Sequence, residues 1–200
     1  MNNVIIIGGG AAGYFTAINA KENNPELDII ILEKGKDVLQ KVKISGGGRC
    51  NVTHACFEPK ELVKFYPRGE KELLGPFHQF MTGDTFEWFD NKGVPLKIEA
   101  DNRVFPEANT SQAIIDCFQK AVDKLKIKVL TNHGVNSVFQ QESKWIVNTK
   151  EQIFEADKLV IAAGSSKKVW ELCESLGHAI IPPVPSLFTF NTIPVLGSFT

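Results

Sequence analysis

The sequence predicts an α/β domain organised around a parallel sheet, and three observations carry that prediction. Val4–Ile7, four β-branched residues in a row, reads as a buried strand and leads straight into Gly8-Gly9-Gly10-Ala11-Ala12-Gly13. An Ala-rich stretch from Ala11 to Glu22 reads as a helix. A second apolar run, Asp28 to Leu32, then ends in Glu33. Strand, glycine turn, helix, strand and acid, in that order, form the dinucleotide-binding arrangement known as the Rossmann motif.

Each residue type in that first unit has a physical task. Gly8 permits the tight turn out of the strand, and Gly10 leaves room for backbone to approach a pyrophosphate. Gly13 lets the helix pack close to the sheet. Ala11 and Ala12 open the helix, whose free N–H groups and partial positive charge suit phosphate. Glu33 stands twenty positions after Gly13, where a carboxylate can accept hydrogen bonds from both ribose hydroxyls. The same charge repels a 2′-phosphate, which favours FAD or NAD over NADP.

Composition sets the bounds. A chain of 200 residues with 43% hydrophobic content can bury one sizeable core. A net charge of −1 with no basic block argues against nucleic acid as the main partner. Cys50, Cys56, Cys117 and Cys173 form no CxxC pair and read as reduced thiols. No apolar run reaches membrane-spanning length and no secretion signal is visible, so a cytoplasmic, membrane-free protein is expected. No spacing of His and Cys suggests a metal site.

Past Glu33 and Lys34 the chain departs from a plain NAD domain. A basic stretch from Lys34 to Lys43, which includes Lys41, runs into Ile44-Ser45-Gly46-Gly47-Gly48-Arg49-Cys50-Asn51. Three glycines between Ser45 and Arg49 make a second turn with exposed backbone, suited to an anion or a flat ring. Arg49 reads either as a bidentate fork for phosphate or carboxylate or as a solvated side chain.

These residues carry a resemblance. The chain resembles the two-dinucleotide-binding-domain flavoproteins. Within them it is similar to the bacterial aminoacetone-oxidase-like, or bile-acid-dehydroxylation-type, NAD(P)/FAD-dependent oxidoreductases. The shared strings are Gly8–Gly13, Leu32-Glu33-Lys34 and Lys41 through Asn51, of which Ser45–Asn51 is the most specific. The resemblance implies that FAD occupies the N-terminal site and that Ser45–Asn51 runs beside the flavin. It leaves the catalytic acid or base unassigned. Cys50 and His54 are near enough to the implied flavin segment to act, although His54 also reads as an ordinary loop histidine.

The remaining elements follow in order. Helices are expected over Glu58 to Phe65 and Glu70 to Met81, the second with Leu73, Leu74, Phe77, Phe80 and Met81 on one face. Thr85 to Asn91 reads as a helix ended by Lys92-Gly93, and its Phe86, Trp88 and Phe89 suit the core or the floor of a substrate pocket. Val94 to Glu99 and Arg103 to Pro106 read as extended pieces around Asp101-Asn102. The second matches the family's GRVFP string with Asn102 in place of Gly. Arg103 reads as cleft-facing or as a hairpin-end arginine.

Ser111 to Leu125 is amphipathic with Thr110 or Ser111 as N-cap, and Ile127 to Leu130 reads as the third parallel strand. Val135 to Gln140, Lys144 to Thr149 and Gln152 to Glu155 then form a β-meander. The resemblance implies that the Val135 backbone touches the adenine. Asp157 to Gly164 returns to the sheet beside the first strand, and its small Ala163 and Gly164 leave room for a ligand. A helix over Val169–Leu176 follows, with His178 expected to cap its end.

The expected organisation is a glutathione-reductase-like FAD-binding domain over 1–186, with crossover helices and a meander. A second domain is expected to begin at 187–200. Relatives continue into an inserted β-rich domain and a final FAD-binding segment, so a truncated piece is expected. The expected function is the FAD-binding portion of a flavin-dependent oxidoreductase. Hydride would pass through FAD, with NAD(P)H or a small organic molecule as partner. Two alternatives are a tRNA-modifying flavoprotein and a non-enzymatic FAD-binding redox module.

Overall fold

A computed structural model describes residues 2–183. It divides into two compact units, one through Ser166 and the other from Lys167. The expected second domain at 187–200 lies outside the described residues.

The first unit is built on a four-stranded parallel sheet. Its strands are β1 (Asn3–Ile7), β2 (Asp28–Leu32), β6 (Lys128–Leu130) and β10 (Lys158–Ile161), in the order β10-β1-β2-β6. Ile7 pairs with Leu32 and with Ile161, and Leu32 with Leu130. The four strands therefore end side by side, and Gly8, Glu33, Thr131 and Ala162 share one edge. Strand order reverses at β1, the place where open α/β sheets bind ligands.

Alternation along β1 separates two packed faces. Val4 and Ile6 enter a core shared with Ala17 and Ile18 of helix α1 (Ala11–Asn23) and with Ile114, Phe118 and Val122 of α6 (Ser111–Lys124). Ile5 and Ile7 are equally buried and point the other way. There the meander β7 (Val135–Gln141), β8 (Lys144–Thr149) and β9 (Ile153–Ala156) packs on β1 and β10. Each such buried aliphatic contributes roughly 1.5–3 kcal/mol. The Thr110 hydroxyl accepts the Gln112 N–H at 3.3 Å, capping α6 as expected.

Between β2 and α6 the chain forms a small satellite. Helix α2 (Gln40–Gly48) runs regularly only to Ile44. Ser45 is extended at ψ 151°, and Gly46, Gly47 and Gly48 have φ of 55°, 67° and 85°. The glycine segment is thus a left-handed turn. A short sheet follows, β3 (Thr53–His54) with β5 (Arg103–Pro106) and β4 (Leu96–Ile98). Asn102 takes φ 63° at its hairpin, as an asparagine standing for glycine should.

Three expectations change here. Glu58 to Phe65 is an α-turn, α3 (Pro59–Leu62), continued as a 3-10 turn over Val63–Phe65. The helix expected to Met81 stops early, as α4 (Glu70–Phe77). Met81 is extended because it caps the next helix, α5 (Thr82–Asp90), and its N–H donates to Asp84 Oδ2 at 2.7 Å. In α7 (Lys167–Ser175), the second unit's helix, it is the backbone N–H of His178 that closes the end, on Cys173 O.

Candidate functional site

The turn after β1 is shaped by crowding. A Cβ at Gly8 would stand 2.5 Å from the Ala162 carbonyl oxygen, and φ there is 117°. A Cβ at Gly13 would collide with the Gly8 carbonyl oxygen. Gly9 is pressed against Glu33 and Val38. Gly10 differs from all three, because nothing lies within 4 Å of the Cβ it lacks. It begins α1 with no side-chain cap, and Ala11 and Ala12 are exposed. The N–H groups of this first turn are therefore free to meet an anion.

Glu33 is held from two sides. Its Oε2 accepts the Gly9 N–H and its Oε1 the Gly35 N–H, both at 2.8 Å. Each oxygen keeps a second acceptor site for a hydroxyl. The loop behind it is laced to the segment after β6. His133 N–H donates to Glu33 O, Asn132 N–H donates to Gly35 O, and Lys34 packs on Gly134. Lys34 thereby lies against Gly134, the residue before buried Val135.

On the other side lies a cleft of about 470 Å³. Its walls are Ala11 and Ala12 of α1, Lys41, Val42 and Ser45 of α2, and Cys50 with Asn51. Phe15, Phe80, Phe89, Ile114 and Phe118 supply an apolar floor. Lys41 Nζ reaches across to donate to Ser165 Oγ at 2.7 Å, beside Gly164. Lys41 and Gly164 are thus brought together although 123 positions separate them in the sequence. Ala163 stands within reach of the Gly8 turn, its Cα only 2.9 Å from where a Gly8 Cβ would be.

The second turn is closed by the Cys50 N–H to Ser45 O bond and tied to the β4–β5 hairpin by side chains. A Cβ on Gly46 would meet Asn51 N at 2.6 Å and the Phe105 ring at 2.9 Å, whereas Gly47 and Gly48 face open space. Asn51 Oδ1 accepts the Val104 N–H at 3.2 Å. The Arg49 fork goes to Glu99, with Nη1 to Oε1 at 2.6 Å. It also donates to Asn109 Oδ1 at 3.3 Å and lies 3.9 Å over the Phe105 ring. Glu99, Phe105 and Asn109 were not expected as partners. They lie fifty or more positions from Arg49, and no local pattern announces the pairing.

Other candidates take modest places. Cys50 is buried at φ 61°, and burial pushes its thiol above the usual range. The His54 ring lies against Phe65, with ring centroids 4.5 Å apart and planes tilted by 53°. Arg103 pairs with Asp101 at 2.6 Å at the hairpin end. Trp88 and Phe89 are core residues, and Phe89 also floors the cleft. Burial, aided by Asp123 and Glu33, pushes the Tyr14 hydroxyl up to about 12, so it stays protonated.

Comparison with known proteins decides the family. Residues 2–193 match the HI0933-like protein Rossmann domain. The chain belongs to this family.

Among curated relatives, it is 27% identical over 195 residues to a 3-dehydro-bile acid delta(4,6)-reductase of Clostridium scindens. It is 26% identical over 197 residues to a ribosomal RNA dihydrouridine synthase of Escherichia coli. Each match covers 94% of this chain but 47% and 48% of those proteins, so the chain spans about half their length. Among solved structures, THI4 of Thermovibrio ammonificans aligns with a TM-score of 0.61 at 13% identity, over 88% of this chain and 62% of that one. CtdE in complex with FAD and a substrate aligns at 0.51 and 16% identity, over 84% and 39%. These likenesses support the α/β Rossmann-type fold of the HI0933-like chain. Among its described residues no helix is long and apolar enough to cross a membrane, and no group of His, Cys, Asp or Glu could hold a metal ion.

Proposed function

We propose that this HI0933-like chain binds FAD without a covalent bond and forms the cofactor-holding part of a flavin-dependent oxidoreductase. The observation that carries the reading is the juxtaposition of Ala11, Ala12, Lys41, Ser45, Cys50 and Asn51 around one cleft. Residues flanking two separate glycine turns meet there, at the carboxyl edge of the sheet.

The residues fit an extended dinucleotide. The open Gly10 and the free first turn of α1 suit a pyrophosphate, with Lys41 as a counter-cation. Glu33 would hold the ribose of the AMP half, with Lys34 and Val135 bordering the adenine. Gly46 to Asn51, together with Ala163 and Gly164, would border the flavin half. Bound FAD supplies the hydride chemistry. The chain's part is to orient the cofactor and to exclude water from the apolar floor formed by Phe15, Phe89 and Phe118. The raised Cys50 thiol argues for a bordering role rather than a thiolate nucleophile.

The bile acid reductase likeness supports a small-molecule substrate; NAD(P)H is the electron donor we propose alongside it. The RNA enzyme likeness keeps an RNA substrate as a second reading, against which the net charge of −1 counts. The first test is the visible spectrum of the purified protein, followed by heat release and chromatography of the supernatant. Free FAD supports the proposal. If the purified protein is colourless and does not quench added FAD, the proposal fails. Filter binding with ribosomal RNA or tRNA then separates the substrate classes.

A further inference from the structure

Arg49 sits in the most specific string of the chain and has the residue type expected to grip a phosphate. Its surroundings give it another task. Both of its Nη atoms face the Glu99 carboxylate, at 2.6 and 3.5 Å. Asn109 Oδ1 takes a further bond at 3.3 Å, with Asn109 itself at φ 57°. The guanidinium plane is occupied as well, lying over Phe105, which is fully buried. A flat cation with a carboxylate at its edge and a ring at its face has spent the geometry that would recognise a phosphate.

The local charge is balanced too. Arg49 and Arg103 both reach Glu99, and Asp101 takes the other side of Arg103. Two cations and two carboxylates leave no excess positive charge for an anion. The set joins the segment after the glycines to the β4–β5 hairpin. It reinforces the Val52 N–H to Val104 O bond and the Asn51 Oδ1 acceptance of the Val104 N–H. Gly46 rests on the same Phe105 ring, at a distance that admits no side chain. Gly47 and Gly48, which face open space, hang between these fixed points.

We propose that Arg49 is a positioning residue: it ties the Ser45–Asn51 turn to the hairpin through Glu99 and Phe105 and so sets the backbone that borders the cofactor, without touching the cofactor's phosphates. The effect on cofactor binding rests on the FAD reading above, whereas the tie itself does not.

The test compares wild type with Arg49→Lys, Glu99→Gln and the double variant. FAD affinity is read by fluorescence quenching, and amide exchange of Cys50 and Val52 is read without FAD. The lysine keeps the charge but loses the fork and the stack. The proposal expects each single variant to weaken FAD by about tenfold and the double to be no worse than either, since one link is broken. It also expects faster exchange at both amides in all three. If Glu99→Gln leaves FAD affinity unchanged or tightens it while Arg49→Lys weakens it, Arg49 serves the phosphate and the proposal is overturned. If wild type binds no FAD, the cofactor reading falls. Amide exchange then still decides the tie, and unchanged rates would overturn it.

Discussion

Gly8–Gly13 and Ser45–Asn51 reach the same cleft from two directions, the first through Ala11 and Ala12 and the second through Ser45, Cys50 and Asn51, and they hold their shapes by different means. In the first turn backbone demands the missing side chains of Gly8 and Gly13: Ala162 stands against Gly8, and Gly8 stands against Gly13. Here the parallel sheet is itself the mould. In the second turn only Gly46 is crowded, by the Asn51 amide nitrogen and the Phe105 ring, and the turn is tied to the hairpin through the side chains of Asn51, Glu99 and Phe105. A turn moulded by a sheet cannot move without unfolding. A turn held by side chains can be loosened while the fold persists.

The largest effect that would expose this difference is at Gly8. Gly8→Ala places a methyl against backbone at a φ that disfavours it, and should destabilise the protein by at least about 3 kcal/mol, or abolish folding. The urea midpoint measures it. Gly46→Ala meets an amide and a ring edge at φ 55°, and should cost about 2 kcal/mol in the same experiment. Equal losses at the two positions would break the contrast.

Gly10→Ala sharpens it from the other side. The site is open and φ is an ordinary −92°, so stability should shift by less than about 1 kcal/mol. On the proposed reading the added methyl would occupy the pyrophosphate approach, so FAD affinity should fall by about tenfold or more. A fluorescence titration beside a melt reads both. Unchanged affinity would move the phosphates elsewhere.

The smallest effect lies away from both turns. Lys144 Nζ bonds Asp157 Oδ1 at 2.6 Å, and Asp157 Oδ2 accepts the Asn3 N–H at 2.8 Å. The Lys144 hydrogen bond, followed by the Asn3 N–H, holds the Asp157 carboxyl below the usual range. The Asp157 hydrogen bond holds the Lys144 amine above its own. The depressed carboxylate lends stability that is complete above its unfolded value of about 3.9 and lost as pH falls through the lower folded value. The raised amine lends stability that is complete below about 10.4 and lost as pH rises through the higher folded value. Asp157→Asn should therefore be less stable than wild type at neutral pH, with the gap closing in strong acid, while FAD affinity is unchanged. A gap that persists at low pH would assign the effect to packing.

The sequence was most legible where one residue's chemistry decided the local shape. Strand β2 falls where its apolar run and terminal acid predict, and the meander was visible from its polar turns. Thr110 and Asn102 act as residue type suggests. The sequence misled where two local signals competed. The apolar spacing of Leu73 to Met81 continues a helix on paper, yet Asp84 draws Met81 into a cap. It was silent where a partner is distant. Nothing near Arg49 points to Glu99, and nothing near Lys41 points to Ser165. The apolar floor was half visible: Phe89 and Phe118 lie on periodic helices, whereas the contribution of Phe15 needs the packing of α1 to be known.

The double acceptance by Glu33 has a consequence for anyone who would re-engineer cofactor choice. Changing this acid to a neutral or basic residue is the obvious way to admit a 2′-phosphate. In this chain the same carboxylate terminates the Gly9 and Gly35 amides, so its removal strands two donors, one of them on a buried glycine. On the proposed reading, ligand selectivity and the folding of the first turn are written into one side chain. A switch at this position therefore calls for a compensating acceptor, and a single replacement should yield a weakened scaffold before it yields a new preference.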